Sequence, residues 1–217
     1  MASDSSRGLF ITFEGTEGVG KSTNLRMATQ YLQERQVPHI VTREPGGTPL
    51  AEEIRGLLLS SREEPVHEMT ELLLMFAARS QHLNQLILPH LERGTWVLCD
   101  RFTDATYAYQ GGGREMSEAP VAALEQLVQG DFRPDRVFWL DAPVKQGMAR
   151  LEMREGAPDR FETERGRFFE RVREAYRARA QAMPEQYRRI DASADLADVQ
   201  ASLCRELDLL VQQRCNC

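Results

Sequence analysis

Five short apolar runs recur along the chain, separated by longer stretches with helical spacing. The runs are LFITF (9–13), HIVT (39–42), WVLC (96–99), VFWL (137–140) and YRRI (187–190). Helical patterns fall near 21–35, 49–60, 66–93, 117–130, 144–154, 162–183 and 195–213. Apolar runs of four or five residues suit buried strands. Parallel strands need crossovers long enough to hold a helix, so this alternation predicts a parallel sheet covered on both faces. Right-handed crossovers leave few topologies. The expectation is therefore an α/β fold of three layers, with five strands between helices. At 217 residues, 1–217 reads as a single domain. Pro89 interrupts the 66–93 pattern, but apolar spacing continues to Leu91, so a kink is expected rather than a stop.

The first run leads directly into GTEGVGKS (15–22). Gly15, Gly20, Lys21 and Ser22 match G-x-x-x-x-G-K-[ST], the phosphate-binding loop. Glycines let backbone N–H groups approach phosphate oxygens, and the following helix adds the positive end of its dipole. The whole segment Gly15, Thr16, Glu17, Gly18, Val19, Gly20, Lys21, Ser22 and Thr23 is thus expected to hold the phosphates of a nucleotide, which the resemblance described below makes ATP. Lys21 should reach the terminal phosphates from a solvated cleft, and Ser22 should hold Mg2+. A chance glycine-rich turn is the competing reading. The position between a strand and a helix argues against it.

Among the runs that end in aspartate are WVLCD at Asp100 and VFWLD at Asp141. Reactive groups in open α/β sheets gather at the carboxyl ends of strands. Asp100 is expected to support the magnesium ion, partly through water, and Arg101 places a cation beside the anion site. Asp141 precedes a helical pattern and reads as a helix cap.

Composition excludes several classes. Charged residues make up 28% and the formal net charge is -6, which argues against broad nucleic-acid or membrane-surface binding. No apolar run approaches a membrane span, and MASDSSRG lacks the features of a secretory leader. Cys99, Cys204, Cys215 and Cys217 make no disulfide framework or familiar metal spacing, so a reduced, cytoplasmic setting is expected. The asparagines are Asn24, Asn84 and Asn216, none in the Asn-Lys-x-Asp context of a guanine reader. A small chain with a phosphate loop and scattered arginines suggests phosphoryl transfer to a small acceptor, where catalysis is positioning and charge neutralisation.

Three segments narrow this further. FEGTEGVGKST (13–23), TREPGGTPLAEEIR (42–55) and DRFTDATYAYQGGGR (100–114) resemble bacterial thymidylate kinases, in order, across nearly the whole chain. The resemblance implies a P-loop nucleoside monophosphate kinase that transfers the γ-phosphoryl group of ATP to dTMP, with Mg2+. It implies that Glu17, Arg43, Pro45 and Arg55 line the dTMP site. It assigns Arg79 to the thymine carbonyl and Arg101 to the acceptor phosphate. Thr106, Tyr109 and Gln110 then read base or sugar. Relatives carry Phe four positions before this arginine. Here Met75 stands there, and stacking is assigned to its neighbour Phe76, with Met75 as core. The catalytic set is Glu17, Lys21, Asp100, Arg101 and a lid arginine.

The lid is expected over about 150–163. Gly156 and Pro158 break the helical pattern where Arg154 and Arg160 cluster, which a solvated helix face does not explain. Arg154 is assigned to the transferring phosphoryl group, Arg160 stands second, and Arg150 is placed near the adenine. Asp159 and Glu162 match acids near the acceptor, or else begin a helix. The resemblance also implies a homodimer through the long apolar helices. Two other readings are a kinase for another deoxynucleoside monophosphate, such as dUMP, and an ATP-binding regulatory protein without turnover.

Overall fold

The structure, a computed structural model, describes residues 7–60, 62–153 and 166–215. Five strands form one parallel sheet: β1 (Phe10–Glu14), β2 (His39–Arg43), β3 (Trp96–Asp100), β4 (Arg136–Asp141) and β5 (Tyr187–Asp191). Their order is β2-β3-β1-β4-β5. β1 lies at the centre and is buried at every position, whereas the edge strands β2 and β5 expose residues. The chain reverses direction of travel across the sheet beside β1, where open sheets of this kind bind ligands.

Residue alternation along the strands builds the two cores. Phe138 and Leu140 face one side, with Ile11, Phe13 and Leu98, against helices α1 (Lys21–Glu34) and α9 (Leu196–Cys215). Val137 and Trp139 face the other side. There they meet Phe168, Phe169, Val172 and Tyr176 of α8 (Gly166–Ala182). Phe10, Val97 and Cys99 pack under Leu83, Ile87 and Leu91 on that same side. The three-layer, five-stranded parallel expectation holds.

The 66–93 pattern is one continuous path with a change of pitch. α3 (Glu68–His82) widens into a π-helical turn over 83–87, and α4 (Leu88–Glu92) continues through Pro89. Pro89 sits in the first turn of α4, where its missing N–H is least costly.

The sequence reading assigned no helix to 103–113, yet α5 (Thr103–Thr106) runs there into a second π turn, Tyr107–Gly113. Three consecutive glycines are poor helix formers, and tertiary packing overrides that propensity. α8 crosses this turn so closely that a Cβ on Gly113 would lie 2.5 Å from the Phe168 ring. The remaining helices are α2 (Pro49–Leu59), α6 (Glu118–Gln129) and α7 (Val144–Glu152). Thr48 caps α2 ahead of Pro49, and Ser117 caps α6.

Candidate active site

The phosphate loop joins the end of β1 to α1. Gly20 precedes the helix at φ 88°, and no side chain caps its first turn. The leading N–H groups of α1 are thus left for an external anion. Gly18, at φ 70°, touches the backbone of α7, where a Cβ would come within 2.0 Å of the Gly147 carbonyl oxygen. Only glycine fits there.

Lys21 corrects one expectation. It is 8% exposed, and its Nζ folds back to donate to the carbonyls of Gly15 (3.1 Å) and Thr16 (2.8 Å). The same nitrogen lies 3.8 Å from Glu17 Oε2. Burial, with Arg101 nearby, lowers its pKa from the ordinary lysine value. The ammonium is stored on loop carbonyls at the cleft wall rather than extended into solvent.

Glu17 accepts from Arg101 Nη2 (2.7 Å) and from the Tyr109 hydroxyl (2.9 Å). Burial alone would raise its carboxyl, but Arg101, Lys21 and these hydrogen bonds outweigh burial and bring it down to about 2. Its folded pKa lies below the ordinary 4.5, so its contribution to stability is complete above pH 4.5 and is lost as pH falls toward 2. That contribution is roughly 3 kcal/mol. Glu17→Gln should therefore unfold at lower denaturant than the parent at pH 6, and the gap should narrow from pH 5 to pH 3. A gap constant across that range would sink the assignment.

At the end of β3, Asp100 Oδ1 is buried and has no hydrogen-bond partner among the described residues. Asp100 and Ser22 share the wall of one cavity with Lys21, Thr23 and Arg150. An orphaned carboxylate oxygen beside an exposed serine hydroxyl suits a hard cation that takes oxygen ligands and keeps water and phosphate in its shell. Asp141, at the end of β4, is neither a helix cap nor part of that cavity's wall. It binds Arg173 Nε (2.6 Å) and Arg189 Nε (2.8 Å), and α7 begins after Pro143 without a side-chain cap. Burial raises its pKa, but hydrogen bonds from the two arginines bring it below the ordinary value.

A second cavity adjoins the first. Pro45, Arg79, Thr106 and Gln110 line it, with Tyr109 and Met75. Glu17, Glu44, Arg55 and Arg101 belong to both cavity walls. Arg55 donates to the Pro45 carbonyl at 2.9 Å, which ties α2 to the 44–47 loop.

Two assignments change here. Phe76 is 2% exposed and packs with Leu72, Tyr107 and Val121, while Met75 faces the cavity. One residue along a helix turns the side chain by about 100°, so the neighbours cannot share the site. Phe76 instead supports Arg79, whose guanidinium carbon lies 4.6 Å from its ring centre. Arg43 lines the phosphate-loop cavity rather than the acceptor cavity, and its Nη2 binds Glu52 at 2.8 Å. Arg154, Arg160, Asp159 and Glu162 lie outside the described residues. Arg150, inside them, borders the phosphate-loop cavity and donates to the Ala192 carbonyl at 3.1 Å.

Sequence reasoning missed the residues that hold these groups. Arg79 Nε donates to Glu44 Oε2 at 2.7 Å and Nη2 to Thr106 at 2.9 Å, while Nη1 has no partner among the described residues. His82 Nδ1 reaches Glu44 Oε1 at 3.0 Å, and its Nε2 lies 2.7 Å from Thr42 Oγ1. A carboxylate only accepts, so Nδ1 carries the proton. Burial pushes the Glu44 carboxyl up, but Arg79 and His82 together bring it below the ordinary range. Glu14, at the end of β1, was missed too. The strand-ending-in-acid pattern that flagged Asp100 would have found it.

A family model, thymidylate kinase, matches residues 13–203. The chain belongs to the thymidylate kinase family. Curated relatives agree. The thymidylate kinase of Teredinibacter turnerae is 58% identical over 201 residues, 93% of this chain and 98% of that protein. That of Pseudomonas syringae pv. tomato is 57% identical over 208 residues, 95% and 99% of the two chains. The crystal structure of thymidylate kinase from Ehrlichia chaffeensis superposes with a TM-score of 0.73 at 32% identity, covering 93% of this chain and 99% of that one. As a thymidylate kinase family member, the chain is a nucleoside monophosphate kinase that phosphorylates dTMP with ATP as donor, in dTTP synthesis. Among the described residues no helix is long and apolar enough to cross a membrane.

Proposed function

We propose that the two adjoining cavities are the ATP-phosphate site and the dTMP site, and that phosphoryl transfer occurs at the wall they share. The observation that carries this reading is that Glu17, Glu44, Arg55 and Arg101 line both. A group passed between two bound nucleotides must cross such a wall. The loop 15–23 cradles the donor phosphates, and Lys21 swings from the Gly15 and Thr16 carbonyls onto the transferring group. Arg101 holds the acceptor phosphate. Glu17, paired to Arg101 and Tyr109, fixes that arginine beside the acceptor sugar. Arg79, Thr106 and Gln110 read the thymine edge, and Met75 takes the face of the base in place of Phe76. Pro45 and Arg55 close the acceptor side, while Arg43 faces the phosphates. Arg150 borders the adenine.

Ser22 and Asp100 are the residues that would hold Mg2+, which neutralises developing charge on the phosphates when bound. The lid assignment, about 150–163 with Arg154 on the phosphoryl group, rests on the sequence pattern. Arg154→Ala should lower kcat strongly with dTMP KM little changed, because a closing lid meets the group mainly in the transition state. If Arg160→Ala has that effect instead, the register of the lid is shifted.

One kinase domain over 1–217, working as a cytoplasmic homodimer without nucleic acid or membrane, completes the reading. Leu57 on α2 and Leu73 on α3 are about half exposed, which supports a partner on that face. ADP release measured with dTMP, dUMP, dCMP and dGMP, with and without Mg2+, tests the whole. Activity should require Mg2+ and favour dTMP. Equal rates with dGMP would remove the pyrimidine pocket.

A further inference from the structure

Arg101 is held in an unusual conformation by residues that touch no nucleotide in the reading above. It is one of three described non-glycine residues with positive φ, at 70°. Such a backbone costs free energy unless its surroundings enforce it. Both flanking amides are enforced. Arg101 N–H donates to the Phe13 carbonyl at 3.0 Å, and Phe102 N–H donates to Glu14 Oε1 at 2.7 Å. The other oxygen of Glu14 accepts from the Tyr176 hydroxyl at 2.7 Å. That hydroxyl oxygen in turn accepts from Arg101 Nη1 at 3.3 Å. Glu14 and Tyr176 are both fully buried. Glu14 lines neither cavity, so substrate contact does not explain it.

We infer that Glu14 and Tyr176 are positioning residues for phosphoryl transfer: they clamp Arg101 from the backbone and from the guanidinium, and so set where it meets the acceptor phosphate. The clamp closes a ring through three elements. β1 supplies Glu14, the β3–α5 junction supplies Arg101 and Phe102, and α8 supplies Tyr176. One guanidinium nitrogen, Nη1, is divided between Tyr176 and the Gly15 carbonyl at 2.8 Å, while Nη2 takes Glu17. Losing the tyrosine hydroxyl leaves Nη1 on the loop carbonyl alone and frees the backbone clamp at Glu14 from its second support.

This inference rests on the assignment of Arg101 to the acceptor phosphate. The test compares dTMP with thymidine, which has the same base and sugar without the phosphate. Binding of each is measured by calorimetry, without ATP, for the parent, Tyr176→Phe and Arg101→Ala. Tyr176→Phe removes only the hydroxyl. It should weaken dTMP about tenfold, as expected for disturbing a charge-assisted contact, and leave thymidine within about twofold. A merely structural role would weaken both ligands together or neither, and either result overturns the clamp. Should Tyr176→Phe fail to fold, Glu14→Asp withdraws the carboxyl by one methylene with its chemistry kept, and the same selective loss is expected. Arg101→Ala separates the two levels. If it loses the preference for dTMP while Tyr176→Phe keeps it, only the positioning role is overturned. If Arg101→Ala also keeps the full preference, the acceptor-phosphate assignment is wrong and the clamp's role falls with it.

Discussion

Lys21→Ala is expected to lower kcat by roughly 30- to 1000-fold, which corresponds to about 2–4 kcal/mol of lost transition-state stabilisation. The geometry sharpens the expectation. In the structure Nζ is held by two backbone carbonyls, Gly15 and Thr16, inside a loop with no side-chain helix cap. Those carbonyls are a resting place that the ammonium leaves when phosphates arrive, since a charged acceptor binds it more strongly than neutral carbonyls do. The ammonium is already buried, which also lowers its pKa, so its transfer to phosphate costs less desolvation. Truncation strands two carbonyl acceptors that can turn to water in the cleft, and the fold should lose only about 1 kcal/mol. Steady-state ADP release and a urea melt measure the two effects. Near-normal turnover with an intact melt would remove Lys21 from the chemistry.

Arg79→Ala should raise the KM for dTMP at least tenfold while the KM for ATP stays within about twofold, because a pocket that hydrogen-bonds a base edge loses those bonds without harming the donor site. A second effect must be kept apart from it. Arg79 neutralises Glu44, and both side chains are nearly inaccessible. Removing one member of a buried pair typically destabilises by about 3–5 kcal/mol. Arg79→Lys retains the charge for Glu44 but lacks the planar fork that also reaches Thr106 and offers Nη1. It should restore much of the melting temperature and little of the dTMP KM. If the lysine variant restores both, charge alone is what the site needs, and the base-reading role fails.

Much of this protein is legible along its chain. The five runs predicted as strands are the five strands, within a residue or two at each end. Their alternation with helical spacing determined a parallel sheet, because a buried strand and its crossover are local patterns of apolarity and length. The phosphate loop was equally local. Its glycines, lysine and serine fall within eight residues directly after a strand run, so the motif shows in one short window.

What only the tertiary structure decided is everything that depends on two distant segments meeting. Spacing could not say whether Met75 or Phe76 faces the cavity, since the choice depends on how α3 is rotated against its neighbours. The helical turn at 107–113 exists because α8 packs against it, while its own glycines argue for a loop. Glu44, His82 and Arg79 meet across 35 to 38 positions, and Tyr176 meets Glu14 across 162. No window of sequence contains such a pair. A buried carboxyl at a strand end is also ambiguous by itself. Asp141 became a structural ion pair because Arg173 and Arg189 reach it, and Asp100 kept an unpartnered oxygen because nothing does among the described residues. The type of residue at a strand end was written in the sequence, but its partners, and with them its charge and its role, were set by the packing that brought α8 and β5 to one strand and left the other open to the cleft.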